Sequence, residues 1–354
     1  MKSLDELFIE ATEEYASDLH ITVGLPPMKR IFGRLYPCFT EPLTEKDTEE
    51  YTRQILTEEQ YDRYIEEGEI DLSYAKPGIS WFRVNAFKQR GYDSLVLRTI
   101  PLEIPTLDSL NMPPIIKEFT TKLNGLILVT GPTGCGKTTT LAAMIDEINR
   151  NRMDHIITLE DPIEFLHQHK QCIVNQREVG KDTHNFANAV RAALREDPDI
   201  ILVGEMRDLE TISIALTAAE TGHLVLSTLH TIGASKTIDR IVDAFPPHQQ
   251  QQVKIQLAGV LEGVISQQLI ETVNADARVC AMEIMTATPA IRNLIRDGKT
   301  HLIDSVIQTG VKYGMQTMDR ALVDLYQEGK ISRDQVLRRC INKKSIEQEL
   351  SVRC

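Results

Sequence analysis

Hydrophobic positions in the first hundred residues follow first a helical and then a strand-like spacing. Over residues 3–16, apolar side chains recur at intervals of three and four, which predicts an amphipathic helix. Strand-like segments follow at 19–23, 81–87 and 94–99. Between the first two of these, residues 45–67 are predicted to be helical with a solvated acidic face. Together these elements predict a compact α+β domain over residues 1–100.

A proline-rich segment, PLEIPTLDSLNMPP, separates this region from the rest of the chain. It covers residues 101–114, contains four prolines and has no usable apolar period. Because proline fixes φ and disfavours helix, we predict that this segment links two domains.

Beyond this linker, short apolar runs alternate with segments of helical periodicity. The predicted buried strands are 125–130, 155–159, 200–203 and 224–228, and the helical stretches include 137–149, 186–195 and 209–219. Strands that alternate with helices favour right-handed crossovers, so we predict an α/β domain with a mainly parallel sheet over residues 115–354. After residue 246 the pattern is mostly helical, which predicts a helical C-terminal part.

The composition is typical of two folded domains. The chain has 354 residues, of which 42% are hydrophobic, so it has enough apolar material for proper cores and is not a disordered chain. The net charge is −12, whereas a nucleic-acid-binding protein usually has a basic surface, so no nucleic-acid partner is expected. The acidity is concentrated in residues 1–70, which contain seven Lys or Arg and 17 Asp or Glu.

Cysteine spacing and hydropathy indicate a reduced, cytoplasmic protein. The six cysteines form no C-x-x-C pair, so neither a structural zinc site nor a disulfide framework is expected. The N-terminus is acidic and lacks the apolar stretch of a signal peptide. The apolar runs are far shorter than the ~20 residues of a membrane-spanning helix, so we expect no direct span and membrane association only through a partner.

The segment GPTGCGKT at 131–138 matches the phosphate-binding pattern G-x-x-x-x-G-K-[ST]. It follows a predicted strand and begins a predicted helix, so backbone N–H groups and the helix N-terminus would surround phosphate oxygens. Lys137 would reach the β- and γ-phosphates and the Thr138 hydroxyl would bind Mg²⁺, which makes ATP and Mg²⁺ the expected cofactors. No chemistry is expected from the Cys135 thiol. The predicted nucleotide-binding residues are Gly131, Pro132, Thr133, Gly134, Cys135, Gly136, Lys137, Thr138 and Thr139.

Hydrolysis also requires carboxylates, one to hold the Mg²⁺ shell and another to orient water. Glu205 ends an apolar strand and is the predicted Mg²⁺-associated carboxylate, because the carboxyl ends of parallel strands meet at one edge of a sheet. Glu160 ends a second such strand and is the predicted general base. For Asp161 and Glu164, a catalytic role and a structural role as cap or ion-pair partner are equally open.

Four further cationic or titratable side chains are candidates for contact with the γ-phosphate. His230 follows the predicted strand 224–228 and is a candidate sensor of this phosphate. His223 precedes the same strand, and for it a structural role is equally open. Arg83 and Arg98 belong to the N-terminal region, where they are either ordinary surface charges or, in a ring ATPase, fingers that act across a cleft.

Taken together, these segments resemble the secretion ATPase superfamily and, within it, the type IV pilus retraction ATPase (PilT) family. The similarity covers nearly the whole chain, beginning at SDLHIT (17–22). ITLEDPIE (157–164) is similar to the family's Asp box, REDPDIILVGEMRD (195–208) to its Walker B region, and residues 223–230 to its His box. AIRNLIR (290–296) matches a segment associated with retraction, although Asp297 follows it where Glu is more usual.

The resemblance implies more than the residue pattern establishes. It implies a recombinase-like P-loop core preceded by a PAS-like domain, assembled as a homohexamer with nucleotide between the two domains. It also implies Mg-ATP hydrolysis coupled to pilus retraction and twitching motility. The motor would act at the cytoplasmic face of the inner membrane through a pilus platform protein. Arg83 and Arg98 occupy positions at which the family places arginines that reach the nucleotide.

Three other functions fit the sequence less well. Pilus-extension and type II secretion assembly ATPases usually have an extra N-terminal domain and a tetracysteine metal motif, and this sequence contains no C-x-x-C. A nucleic-acid translocase would have basic pore loops and stacking aromatics, whereas this chain is acidic with 5% aromatic residues. A nucleotide-binding regulator without turnover would not need a water-orienting carboxylate such as Glu160.

Overall fold

The structure, a computed structural model, describes residues 2–31, 33–76, 78–100, 103–274 and 277–352. Its contacts divide the chain into two units, Met1–Glu103 with Glu164–Leu166, and Ile104–Ile163 with His167–Cys354. The predicted linker spans this division, and its Pro101 and Leu102 lie outside the described residues. Leu107, in the remainder of the predicted linker, is buried in a core of the second unit.

The N-terminal unit is a six-stranded antiparallel sheet with three helices. Its strands are Asp18–Ile21 (β1), Met28–Ile31 (β2), Arg34–Pro37 (β3), Glu69–Lys76 (β4), Ser80–Gln89 (β5) and Tyr92–Ile100 (β6), in the order β3-β2-β1-β6-β5-β4. Its helices are Leu4–Glu13 (α1), Glu45–Ile55 (α2) and Glu58–Glu67 (α3). Alternate strand residues such as Phe82, Val84 and Leu97 are buried with apolar helix residues. The predicted small α+β domain is therefore confirmed.

Two helices occupy the region 45–67, which the sequence pattern predicts as one helical region. Leu56 is extended and ends α2. Thr57 then caps α3, because its hydroxyl accepts a hydrogen bond from the N–H of Gln60 while the Gln60 side chain accepts one from the N–H of Thr57. This capping box satisfies backbone donors that a helix start leaves unpaired, and it therefore begins a new helix.

The second unit is a seven-stranded sheet with helices on both faces. Its strands are Gly125–Thr130 (β7), His155–Glu160 (β8), Ile173–Glu178 (β9), Ile200–Val203 (β10), Leu224–Leu229 (β11), Leu261–Glu271 (β12) and Arg278–Thr286 (β13). Its helices are Pro114–Thr120 (α4), Lys137–Asn151 (α5), Phe186–Ala193 (α6), Leu209–Glu220 (α7), Ala234–Asp243 (α8), Pro247–Val260 (α9), Pro289–Arg296 (α10), Ile303–Thr309 (α11), Met318–Gln327 (α12), Arg333–Arg339 (α13) and Lys343–Val352 (α14). Two short 3₁₀ helices, Thr300–Leu302 and Val311–Tyr313, flank α11.

The strand order in this sheet is β13-β12-β7-β11-β10-β8-β9. Every neighbouring pair is parallel except β12 with β13. Both faces of the sheet are buried, since Leu126 and Leu128 belong to one core and Ile127 and Val129 to the other. This confirms the predicted α/β fold with a mainly parallel sheet, and it gathers the carboxyl ends of β7, β11, β10 and β8 at one edge.

The region after residue 246 differs from the mostly helical prediction. The strands β12 and β13 pair over nine positions, and β12 also pairs with β7. Buried polar residues explain the error, because Ser266 and Gln267 interrupt the apolar run that would indicate a buried strand. Ser266 accepts a hydrogen bond from the N–H of Gly233, and Gln267 donates one to Thr140. From Pro289 onward the described chain is helical, as predicted.

Over the described residues, the helices all fall short of the length and apolar character that a bilayer crossing requires.

Candidate active site

The loop between β7 and α5 contains the predicted phosphate-binding residues. Gly131 has a φ of 141°, a value that side chains rarely allow. A Cβ atom on Gly131 would also lie 2.4 Å from the carbonyl oxygen of Gln267 in β12, so the loop packs directly against the next strand. The helix α5 begins at Lys137, immediately after the loop. Its N-terminal N–H groups therefore lie where a phosphate would bind.

Lys137 is held at the opening of this loop. Its Nζ donates hydrogen bonds to the carbonyl oxygens of Gly131, at 3.0 Å, and Pro132, at 3.2 Å. The same Nζ lies 3.5 Å from Nδ1 of His230. Lys137 therefore reaches both the loop backbone and the first residue after β11.

His230 connects the lysine to a carboxylate on the adjacent strand. It directly follows β11, and its Nε2 lies 3.1 Å from Oε1 of Glu205. Glu205 follows β10 and is also 2.6 Å from Nε of Arg207. The side chain of Glu205 is mostly buried, whereas that of Arg207 is exposed. The structure thus brings three predicted residues, Lys137, His230 and Glu205, into one continuous chain of polar contacts.

Glu160 ends β8, the strand on the other side of β10. It is 7% exposed, and its Oε1 accepts hydrogen bonds from the Thr158 hydroxyl, at 2.6 Å, and from Nε2 of Gln176, at 3.1 Å. The turn after β10 passes close by, since the N–H of Gly204 donates to the carbonyl of Leu159 at 2.8 Å. Glu160 therefore lies at the same edge of the sheet as Glu205, with its carboxylate oriented by two neutral donors.

Sequence reasoning missed these two donors. Thr158 is two residues before Glu160 in the same strand, so strand periodicity alone would have placed both side chains on one face. Gln176 is different, because it belongs to β9 and faces Thr158 only through the pairing register of the two strands. No local pattern in the sequence indicates that register.

The two candidate sensor histidines lie at opposite ends of β11. His223 precedes the strand, and its Nδ1 is 2.9 Å from the carbonyl oxygen of Ala218 near the end of α7. A six-residue strand is about 20 Å long, so His223 and His230 of one chain do not meet at the same phosphate. His230 is therefore the histidine at the loop, and the catalytic and structural roles of His223 both stay predictions.

Three predicted site residues belong to the other unit. Glu164 is exposed and lies in the segment grouped with the N-terminal unit. Arg83 and Arg98 are paired directly across β5 and β6 on the exposed face of the N-terminal sheet. Asp18 forms an ion pair with Arg98, since its Oδ1 lies 3.2 Å from Nε of Arg98. Catalytic roles for Glu164, Arg83 and Arg98 stay predictions.

The residues at the loop fit a nucleotide with Mg²⁺. Thr138 is a partly exposed residue in the first turn of α5, and Glu205 reaches the same sheet edge. Within the described ranges there is no group of three His, Cys, Asp or Glu side chains that would by itself hold a metal ion. A cation here would take most of its ligands from phosphate and water, which is how Mg²⁺ usually binds. Burial raises the pKa of the Cys135 thiol, so this loop residue is protonated and unreactive near neutral pH.

Residues 52–353 match the family described as Type II/IV secretion system protein. The chain belongs to this family. One relative in it, the type IV pilus retraction ATPase PilT of Pseudomonas aeruginosa, is 51% identical over 94% of this chain and 96% of its own length. The twitching motility protein of Neisseria gonorrhoeae is 47% identical over 90% of this chain and 86% of its own.

A crystal structure of the pilus retraction motor PilT with bound ADP is similar to this type II/IV secretion family member over its whole length. The TM-score is 0.92 and the identity 46%, and the match covers 98% of this chain and 100% of the other. The PilT-like membership predicted from the sequence motifs is therefore confirmed. So is the architecture, a mixed α/β sheet preceded by an antiparallel domain.

Proposed function

We propose that this protein hydrolyses ATP at the β7–α5 loop and that the hydrolysis drives retraction of a type IV pilus. The observation that carries the proposal is the chain of contacts from Lys137 through His230 to Glu205, next to a buried and oriented Glu160. A protein that only bound nucleotide would not need such an array at the γ-phosphate position. The relatives named as pilus retraction ATPase and twitching motility protein support pilus retraction as the function.

Each residue at the loop has a proposed task. Bound Mg-ATP supplies the phosphate bond that is broken and the cation that neutralises its charge. Backbone N–H groups of residues 131–139 would bind the phosphates, and Lys137 would exchange its carbonyl partners for β- and γ-phosphate oxygens. Thr138 would ligate Mg²⁺ directly and Glu205 partly through water. His230 would sense the γ-phosphate, and Glu160 would orient water and accept its proton.

Residues of the N-terminal unit are proposed to complete the site within a homohexamer. Arg83 and Arg98 are adjacent cations on an exposed sheet face. This placement suits a role as arginine fingers that reach a nucleotide bound by another subunit of the hexamer. Glu164 is proposed as a second acidic group of the same arrangement. If both arginines act this way, replacing both by Ala abolishes turnover and leaves the hexamer intact.

The proposed motor is cytoplasmic and acts at the inner membrane through the pilus platform protein. The alternative is a pilus-extension or type II secretion assembly ATPase. The AIRNLIR segment favours retraction and forms α10. There Arg292 donates to the carbonyl oxygens of Ala258 and Gly259 and to Glu262. Arg296 of the same helix is exposed, and its guanidinium donates to Oδ1 of Asn293 at 3.1 Å.

ATP turnover by the purified chain tests the hydrolase part of the proposal. We expect Mg²⁺-dependent hydrolysis that falls at least ~100-fold in Glu160→Gln, because the general base is lost, while ATP binding persists. Glu118→Gln, an exposed carboxylate on α4, is the matched control and should hydrolyse ATP like the wild type. If Glu160→Gln turned over at the wild-type rate, Glu160 would not be the base, and Glu164 and Glu205 would be tested next.

A further inference from the structure

One amide side chain connects the proposed base to a distant point of the backbone. Gln176 is in β9, the edge strand next to β8, and is partly buried. Its Nε2 donates to Oε1 of Glu160 at 3.1 Å. Its Oε1 accepts a hydrogen bond of 2.7 Å from the backbone N–H of His167. The amide thus bridges the carboxylate and the main chain.

The orientation of this amide is fixed by its surroundings. A backbone N–H can only donate, so the amide oxygen of Gln176 must face His167. The NH₂ group then necessarily faces Glu160. There it joins the hydroxyl of the fully buried Thr158 as a second neutral donor to the same carboxylate oxygen.

The backbone end of this hydrogen-bonded bridge, His167, lies where the chain passes from one unit to the other. Residues Glu164–Leu166 are grouped with the N-terminal unit, and His167 is the first residue after them that belongs to the second unit. Gln176 therefore ties the carboxylate of Glu160 to the point at which the chain returns to the second unit. A displacement of the backbone at His167 would act on the donor that orients the base.

We propose that Gln176 is a positioning residue for Glu160. It fixes the position of the Glu160 carboxylate relative to the backbone at His167. The inference rests on the proposed ATP hydrolysis at this site. A base that loses one of its orienting donors is misplaced by a fraction of an ångström to an ångström, and a misplacement of this size typically slows the chemical step. Substrate binding, which the β7–α5 loop provides, should be unaffected.

Two substitutions at Gln176 separate positioning from simple structural support. Gln176→Leu removes both hydrogen bonds, and we expect kcat for ATP hydrolysis to fall about 10- to 100-fold with little change in KM. Gln176→Glu retains an acceptor for the N–H of His167 but replaces the donor to Glu160 by a carboxylate. We expect a comparable loss of kcat near neutral pH and partial recovery as the pH falls, since a protonated carboxyl can donate again.

Asn175→Ala is the matched control. Asn175 is the adjacent residue in β9, it also has an amide side chain, and it contacts Nε2 of His155 rather than Glu160. Its substitution should leave kcat and the pH profile at wild-type values. Thermal unfolding and nucleotide binding of all three variants establish that each is folded.

The possible outcomes are distinct. A wild-type kcat and pH profile in Gln176→Glu, together with a slow Gln176→Leu, would show that Gln176 only supports the backbone at His167, and would overturn the inference. Wild-type kinetics in both variants would also overturn it. Absence of turnover in the wild-type chain itself would instead overturn the proposed function, and the inference with it.

Discussion

Gly131 shows how one residue sets the shape of the phosphate-binding loop. Its φ of 141° and the 2.4 Å that would separate its Cβ from the Gln267 carbonyl both exclude a side chain. We therefore expect Gly131→Ala to displace the loop and weaken ADP binding at least ~10-fold, a loss of about 1.4 kcal/mol. Titration with a fluorescent nucleotide measures this effect.

Gly134→Ala is the comparison for that measurement. Gly134 also has a positive φ, 76°, but a Cβ there would meet no atom within 4 Å. Gly134→Ala therefore has only the conformational cost of placing a side chain at positive φ, about 1 kcal/mol, and causes no steric clash. Equal affinities in the two variants would show that close packing of the loop against β12 is not what excludes a side chain at Gly131.

His167 should make the protein sensitive to acid. Burial lowers the pKa of this imidazole from 6.5 to about 4. In the unfolded chain the ring binds a proton near pH 6.5, whereas in the folded chain it stays neutral until about pH 4. Burial of the neutral ring therefore contributes its full stabilisation above pH 6.5. This contribution is lost as the pH falls toward 4, and the free energy of unfolding drops by up to about 3 kcal/mol.

Thermal unfolding at pH 7.5 and pH 5 tests this expectation. His167→Gln removes the titrating ring, so the variant should lose less stability than the wild type between the two pH values. Parallel losses in the two proteins would contradict the assignment of acid sensitivity to His167.

The site residues that could be predicted are those that a short stretch of the sequence identifies. Lys137 and Thr138 follow from one contiguous motif, and Glu160, Glu205 and His230 follow from their position after apolar strands. The separation of His223 from His230 could be predicted in the same way, since His223 precedes the strand that His230 follows. Gln176 was not predictable, since its role depends on the register between β8 and β9.

At the level of secondary structure elements, Glu283 of β13 supports the start of the helix α8. Its Oε1 accepts a hydrogen bond of 2.8 Å from the N–H of Ala234, the first residue of α8. Burial raises the pKa of Glu283 above 4.5, and Asp304 and Asp319 raise it further. The helix α8 begins four residues after His230, so this carboxylate supports the segment that follows the proposed sensor.

The raised pKa of Glu283 predicts a specific pH dependence. An acid whose pKa is raised on folding binds its proton more tightly in the folded chain, so ionisation at neutral pH costs stability and protonation restores it. As the pH falls toward 4.5, the wild type should therefore gain stability relative to Glu283→Gln. Unfolding midpoints of both proteins at several pH values measure the difference, and a constant difference would contradict the expectation.

The central elements of both units could be predicted because their buried faces are almost purely apolar. The strand β7 is buried at all six positions and β10 at all four, so continuous apolar runs identify them. The strand β12 could not be identified this way, since its buried face includes Ser266 and Gln267. The Ser266 hydroxyl and the Gln267 NH₂ group make hydrogen bonds to distant residues, and such partners are not visible in a sequence pattern.

At the scale of the whole molecule, the acidity of the N-terminal unit is proposed to serve docking to a basic cytoplasmic loop of the platform protein. Four exposed carboxylates of α3 carry this hypothesis: Glu58, Glu59, Glu66 and Glu67. Replacing them by Lys should weaken docking and leave ATP turnover unchanged. Pull-down with the platform protein at two salt concentrations measures the effect.

The substitutions in α3 need a control for folding. Glu58 and Glu59 lie in the first turn, where negative charge favours the helix dipole, and Glu67 pairs with Arg63. Far-UV circular dichroism and turnover together show that the variant is folded. Unchanged docking by a folded variant would leave solubility as the explanation of the acidic surface.

The direction of force is the central claim at this scale, and pilus number measures it most directly. Cells of the source organism in which the gene is replaced by the Glu160→Gln variant, and cells lacking the gene, are compared with the wild type by electron microscopy and by twitching on agar. A retraction motor predicts more surface pili than the wild type and no twitching in both strains. Cells without pili would contradict retraction and identify the protein as an extension or assembly ATPase.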